Sequence, residues 1–158
     1  MDIECTCSAL RMAARRLSQG YDAALAPEGL TVSQYAVLGN LARWDAVRAA
    51  RPDGGAAPSM TELAELLGLD RTTLAHNLRP LERDGFLAVL PDARDARLRR
   101  VALTAEGRAK RERCLPLWRA AQDRFDRSFG TEEARALRAS LLALARHTEA
   151  APAATEGD

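Results

Sequence analysis

The chain is short of the groups on which most enzymes, secreted scaffolds and membrane proteins depend. Aromatic residues make up 4% of its 158 residues, and there are three cysteines and two histidines. Three thiols cannot all pair within one chain, so the disulfide frameworks of small secreted domains are excluded. The histidines, His76 and His147, sit in no motif that would set a base beside a nucleophile. A cysteine-dependent enzyme is therefore the weakest reading. No apolar run is long enough to cross a bilayer, and the first residues, MDIECTCSALRMAARR, lack the basic-then-apolar order of a secretion signal. The chain is expected to stay in the cytoplasm, away from membranes. It also lacks a strong overall charge, at +1.

What is present is concentrated between Ser59 and Thr104. That stretch reads as a short helix, a tight turn, a second helix and a two-stranded hairpin, the outline of a winged helix-turn-helix. Ser59 and Glu62 have capping-box spacing, so each side chain can satisfy a free N–H of the other residue. Apolar Leu63, Leu66 and Leu67 follow, Gly68 and Leu69 make the turn, and Asp70 is placed to cap the second helix from about Arg71.

At 100° per residue, Leu74, Leu78 and Leu81 of the second helix share one stripe, while Thr72, His76, Arg79 and Arg83 lie opposite. A helix that hides leucines and offers hydroxyl, imidazole and guanidinium groups suits the major groove of a duplex. An ordinary amphipathic helix with a solvated face would show the same pattern. Arg71, Thr73 and Asn77 complete the candidate reading set. Pro80 removes an N–H that would bond to the His76 carbonyl, so a bend is expected there. That favours Thr72, Thr73 and His76 as base readers, with Arg79 and Arg83 as phosphate clamps.

The hairpin strengthens this reading. Gly85 suits a left-handed helix end, Phe86–Leu90 form an apolar strand, and Leu98–Leu103 return after a polar tip. A protruding Arg94 or Arg97 can enter the narrow minor groove beside the helix. Asp95 would repel phosphate, so its expected job is to position a neighbouring arginine by a charge-assisted hydrogen bond, or simply to form the turn.

TELAELLGLDRTTLAHNLRPLERDGFL followed by DARDARLRRVALTAEG resembles the MarR family of bacterial transcription regulators. The family's wing carries an Asp-x-Arg pattern ahead of a Leu-Thr and Gly pair, here Asp95, Arg97, Leu103, Thr104 and Gly107. The resemblance implies a mainly α fold with a small β-hairpin wing, the terminal helices forming a dimerisation region. It also implies a homodimer that binds a palindromic operator in double-stranded DNA, habitually as a repressor that an effector releases. A winged module that binds protein rather than DNA is the rival.

Charge distribution fits the DNA reading better than net charge does. From Arg71 to Cys114 there are eleven basic residues against six acidic ones, a local excess of five. Each phosphate neutralised releases counterions, so affinity should fall steeply with salt.

The flanks complete the organisation. Residues 1–44 read as two helices, the first over about Ser8–Leu25 and the second opened by a Thr31…Gln34 capping box. Residues 45–58 read as a surface loop and 59–104 as the winged lobe. Residues 105–149 read as two dimerisation helices, the first capped by Thr104 and bent or interrupted near Pro116, the second capped by Thr131. Residues 150–158 have nothing to bury and are expected to be disordered.

Two effector readings stay open. If Ser8 caps the first helix, Cys5 and Cys7 are extended and their thiols converge. With Cys114 they could hold a soft metal ion, a metalloid or an iron–sulfur cluster, and without metal they could act as an oxidation switch. Cys114 lies on a stripe with Trp118 and Phe125, where a buried small hydrophobe is the plain alternative. The resemblance supplies the second reading: a small aromatic or phenolic acid bound between the helices and the winged lobe, where Arg15, Tyr21, Tyr35 and Trp44 could line a cleft.

Overall fold

A computed structural model describes residues 4–52, 54–95 and 97–150, without the side chains of 148–150. The expected disorder after Ala150 lies outside the described residues. The chain divides into two compact units, Met1–Trp118 and Arg119–Asp158. Among the described residues no helix is long and apolar enough to cross a membrane.

In the first unit, α1 (Thr6–Leu25) leads through a 3-10 turn (Ala26–Glu28) to Gly29, whose φ of 66° ends the segment in the left-handed region. Helix α2 (Val32–Ala49) opens on the expected capping box of Thr31 and Gln34. It runs five residues past Trp44, so Asp45–Ala49 are helical rather than loop. Nothing breaks the helix before Pro52, and the Arg48 side chain is anchored to Asp45 at 3.2 Å.

Helix α3 (Met60–Leu67) has the Ser59–Glu62 capping box and ends at Gly68, φ 62°. Its buried face is Leu63 and Ala64 with Leu67 half-covered, while Leu66 is 46% exposed. Leu66 therefore does not join the core stripe expected of it, because residues 63, 64 and 67 already fill the side that meets the lobe. Helix α4 (Arg71–Arg83) is continuous through Pro80. The lost hydrogen bond is the one to His76, and the helix resumes at once, with the Asp84 N–H donating to the Pro80 carbonyl at 3.0 Å.

Strands β1 (Leu87–Pro91) and β2 (Arg99–Leu103) pair antiparallel, Leu87 opposite Leu103 and Val89 opposite Val101. Leu87, Val101 and Leu103 face inward by strand alternation and join Leu63, Leu74, Leu78 and Leu81 in one core with Leu38 and Leu41 of α2. This packing holds the inner side of α4 and leaves its outer side to solvent.

Helix α5 (Ala105–Phe129) runs uninterrupted through Pro116, where a bend or an interruption was expected. Thr104 caps it, accepting from the Gly107 N–H at 3.0 Å while its own hydroxyl donates to the Gly85 carbonyl at 2.7 Å. In the second unit, α6 (Thr131–Ala150) begins one residue earlier than expected. Gly130, φ 102°, occupies the cap position, its carbonyl accepting from the Ala134 N–H at 2.8 Å, and Thr131 is the first helical residue. On α6, Leu141, Leu142 and Leu144 are 38%, 60% and 37% exposed.

Candidate nucleic-acid interface

The outer side of α4 begins at its cap. The Asp70 carboxylate accepts from the Thr73 N–H at 2.8 Å and from the Thr73 hydroxyl at 2.6 Å. These bonds hold the Asp70 carboxyl below its ordinary value, the Thr73 hydroxyl contributing most. Thr73 was expected to read bases, but its hydroxyl is committed to the cap. Arg71, Thr72, His76 and Arg79 are exposed and line one shallow depression. Asn77 is half-buried. Arg83 is partly neutralised by its neighbour, its Nε donating to Asp84 at 2.8 Å, which weakens its claim as a phosphate clamp.

The wing tip is built on two aspartates. Asp92 Oδ1 accepts from the backbone N–H groups of Arg94 and Asp95 at 2.8 and 3.0 Å. Asp95 Oδ1 accepts from the backbone N–H of Arg97 at 2.9 Å. Asp95 thus positions Arg97 through the main chain rather than through the guanidinium, as a turn former does. The side chains of Arg94 and Arg97 are exposed.

Arg100 ties this tip to the rest of the lobe, a role that sequence reading did not assign. Its Nε donates to Asp92 at 2.6 Å, and Nη1 donates to the Ala57 carbonyl and to Glu62 at 3.0 Å each. The Val101 N–H donates to the Pro58 carbonyl at 2.9 Å, and Ser59 bridges to Arg100. Wing root and α3 cap therefore move as one piece. Arg100 offers no periodic signal, because its partners lie 8, 43 and 38 residues away.

The Arg100 guanidinium, helped by the two backbone donors, draws the Asp92 carboxyl down from 3.8 to about 2. A lowered carboxyl pKa stabilises the fold fully above 3.8, and that contribution is lost as pH falls through about 2. The backbone amides of Arg94 and Asp95 should therefore titrate together with a midpoint near pH 2 in NMR spectra. A midpoint near 3.8 would show that the Asp92–Arg100 brace is not formed in solution.

The cysteines are not gathered within the chain. Cys5 is the N-cap of α1 and Cys7 lies in its first turn, because the helix starts at Thr6 rather than after Ser8. The extended Cys5–Cys7 geometry needed for converging thiols is thus replaced by helix. Both are exposed, whereas Cys114 is fully buried among core leucines. Among the described residues no group of three or more His, Cys, Asp or Glu could hold a metal ion.

A cleft of about 580 Å³ lies between α2 and α5, lined in part by Tyr35, Asn40, Arg43, Arg111 and Trp118. Tyr35 and Trp118 pack with ring centroids 6.1 Å apart. Of the four cleft residues expected from the sequence, Tyr35 lines this cleft and Trp44 lines another, while Arg15 and Tyr21 line neither. Arg111, the cationic residue of the cleft nearest the aromatic pair in sequence, was not anticipated.

A capped helix with its polar side outward, packed beside a braced wing with two exposed arginines, defines a winged-helix transcription regulator. The comparisons agree. The MarR family profile matches residues 30–98. The transcriptional regulator MosR of M. tuberculosis, solved in complex with DNA, is 37% identical, with 95% of this chain and 100% of that one covered and a TM-score of 0.79. The transcriptional repressor CouR bound to a 23-mer DNA duplex is 28% identical, with 90% and 93% covered and a TM-score of 0.73. The transcriptional activatory protein BadR of Rhodopseudomonas palustris is 41% identical over 85 residues, 54% of this chain and 44% of BadR, so the match spans less than half of that relative. The chain belongs to the MarR family, a family of DNA-binding regulators rather than enzymes.

Proposed function

We propose that the chain acts as a homodimer that grips a palindromic operator, each protomer setting α4 in the major groove and its wing against the neighbouring minor groove. The observation that carries this is the exposed polar side of α4, where Arg71, Thr72, His76 and Arg79 surround one depression while Leu74, Leu78 and Leu81 are buried behind it. Base edges in the major groove present acceptors that such donors can read. Arg94 and Arg97 supply the minor-groove contact. The exposed Leu141, Leu142 and Leu144 of α6 support pairing with a second copy, and the two half-sites of a palindrome call for two recognition helices roughly one DNA turn apart.

Titrating the protein against DNA from beside its own gene tests this. With six or more phosphates contacted by a dimer, affinity should fall about a thousandfold between 50 and 200 mM salt. Arg97→Ala should weaken binding to all sequences and reduce the salt slope by about one per protomer. A salt-independent affinity, or an unchanged slope in the Arg94→Ala/Arg97→Ala variant, would favour the protein-binding rival. BadR is named an activator and CouR a repressor. We assign repression, the habit of the family that this chain resembles.

Release requires an effector that binds the DNA-incompetent geometry better than the competent one. A small aromatic carboxylate in the α2–α5 cleft fits best. Arg111 lines it, and among the described residues its Nε is buried without a hydrogen-bond partner, which is costly until an acceptor arrives. A thiol switch is the second reading, favoured by Cys5, whose thiol is held below its ordinary pKa first by the Ser8 N–H and then by the Ser8 hydroxyl. Oxidising Cys5 and Cys7 to a disulfide would unwind the first turn of α1. Salicylate should release operator from the Cys5→Ser/Cys7→Ser variant but not from Arg111→Gln. Release by peroxide that vanishes in the double serine variant would transfer the sensing role to the thiols.

A further inference from the structure

The depression on the outer side of α4 has a floor as well as a rim. Its volume is about 360 Å³, and Arg71, Thr72, His76 and Arg79 stand exposed around Ala75, which is half-buried and has the shortest side chain of the five. Ala75 lies one helical turn after Arg71 and one turn before Arg79, so its methyl sits between two long side chains on the same face. Sequence reading passed over it, because an alanine side chain carries no donor, acceptor or charge.

The floor is fixed in place. Leu74, the preceding residue, is 0% exposed in the core, and its N–H donates to the Asp70 carbonyl at 3.0 Å. Leu78, one turn further on, is buried as well. The Ala75 methyl is thus held by the backbone alone, with no rotamers to lose when a partner meets it.

The four bases differ in what they would set against that methyl. In the major groove adenine and cytosine present an amino donor and guanine two acceptors, while thymine alone presents a methyl beside an acceptor. An amino or carbonyl edge pressed onto Ala75 would lose water and gain no partner. A thymine methyl leaves water favourably there, and its O4 stays within reach of the donors of the rim. We propose that Ala75 is a specificity-determining residue: each half-site of the operator carries a thymine whose C5-methyl seats on the Ala75 methyl. This rests on the DNA reading above and names a base that the reading leaves open.

The test selects duplexes that bind the full chain from a random-sequence pool, then replaces each thymine of the selected site in turn by uracil, which lacks only the methyl. One thymine per half-site should prove sensitive, at a cost of about fourfold in affinity, the worth of one apolar carbon removed from water, and about fifteenfold when both half-sites are changed. Ala75→Gly should bind the thymine and uracil duplexes equally at that position. If alanine served only as a good helix former, the glycine variant would lose stability and keep the thymine-to-uracil ratio, and the proposal would fail. Ala75→Gln, which keeps helix propensity but fills the depression, decides the matter should the glycine variant unfold. Selection with it should no longer return thymine at that one position, with the rest of the site retained. Indifference to uracil at every position, or a thymine preference that survives intact in the variants, would overturn the role of Ala75. Salt-dependent binding to the selected duplex would then leave the regulator reading standing, whereas no salt-dependent binding to any duplex would overturn both.

Discussion

Leu74→Ala is expected to lower the unfolding free energy by about 3 kcal/mol, the cost of a deleted buried leucine side chain plus the cavity it leaves. Leu74 is 0% exposed, in the core that receives α4, α3 and the hairpin. Thr72, two residues earlier on the same helix, is exposed, so Thr72→Ala should change stability by less than about 0.5 kcal/mol. The two variants should separate in opposite ways. Urea unfolding should report only Leu74→Ala, whereas operator affinity, measured well below the unfolding midpoint, should fall about tenfold in Thr72→Ala through one lost base contact. A Thr72→Ala variant that unfolds as early as Leu74→Ala would mean that the outer side of α4 is packed, and the interface would have to be sought elsewhere.

The second large effect belongs to Gly107. A Cβ there would lie 1.9 Å from the Phe86 carbonyl oxygen and 2.7 Å from Leu103 Cδ1. The carbonyl is main chain and already accepts from the Thr104 N–H at 3.2 Å, so it cannot simply rotate away. Replacing glycine by alanine within a helix ordinarily stabilises by up to about 1 kcal/mol. Here the overpacking should win, and Gly107→Ala should destabilise by about 3 kcal/mol. The sign is the discriminating result. A stabilised variant in urea unfolding would show that the start of α5 does not press on the β1 strand's entry as described.

Gly107 also shows how a sequence pattern acquires its reason. It stood out beside Leu103 and Thr104 only through likeness to a family, and its physical basis is the contact between the first turn of α5 and Phe86. Thr104 closes the same corner from the other side, capping the helix and reaching the Gly85 carbonyl.

The helices and their ends were readable in the residues alone, because caps and periodicity are local. Thr31 with Gln34, Ser59 with Glu62, Asp70, Gly68 and the Leu74–Leu78–Leu81 stripe all fall within one or two turns of their partners. The same locality separates donors from leucines on α4, which is most of the case for an interface. Where local rules misled, a nearby contact decided otherwise. Asp45 and Arg48 extend α2 past its expected end, and Pro116 costs one hydrogen bond without interrupting α5. Arg100 with Asp92, Glu62 and Ala57, the Arg111 Nε left without a partner among the described residues, and both clefts were decided only by tertiary structure. Each depends on groups brought together from tens of residues apart, and a chain's periodicity carries no record of which distant segments will meet.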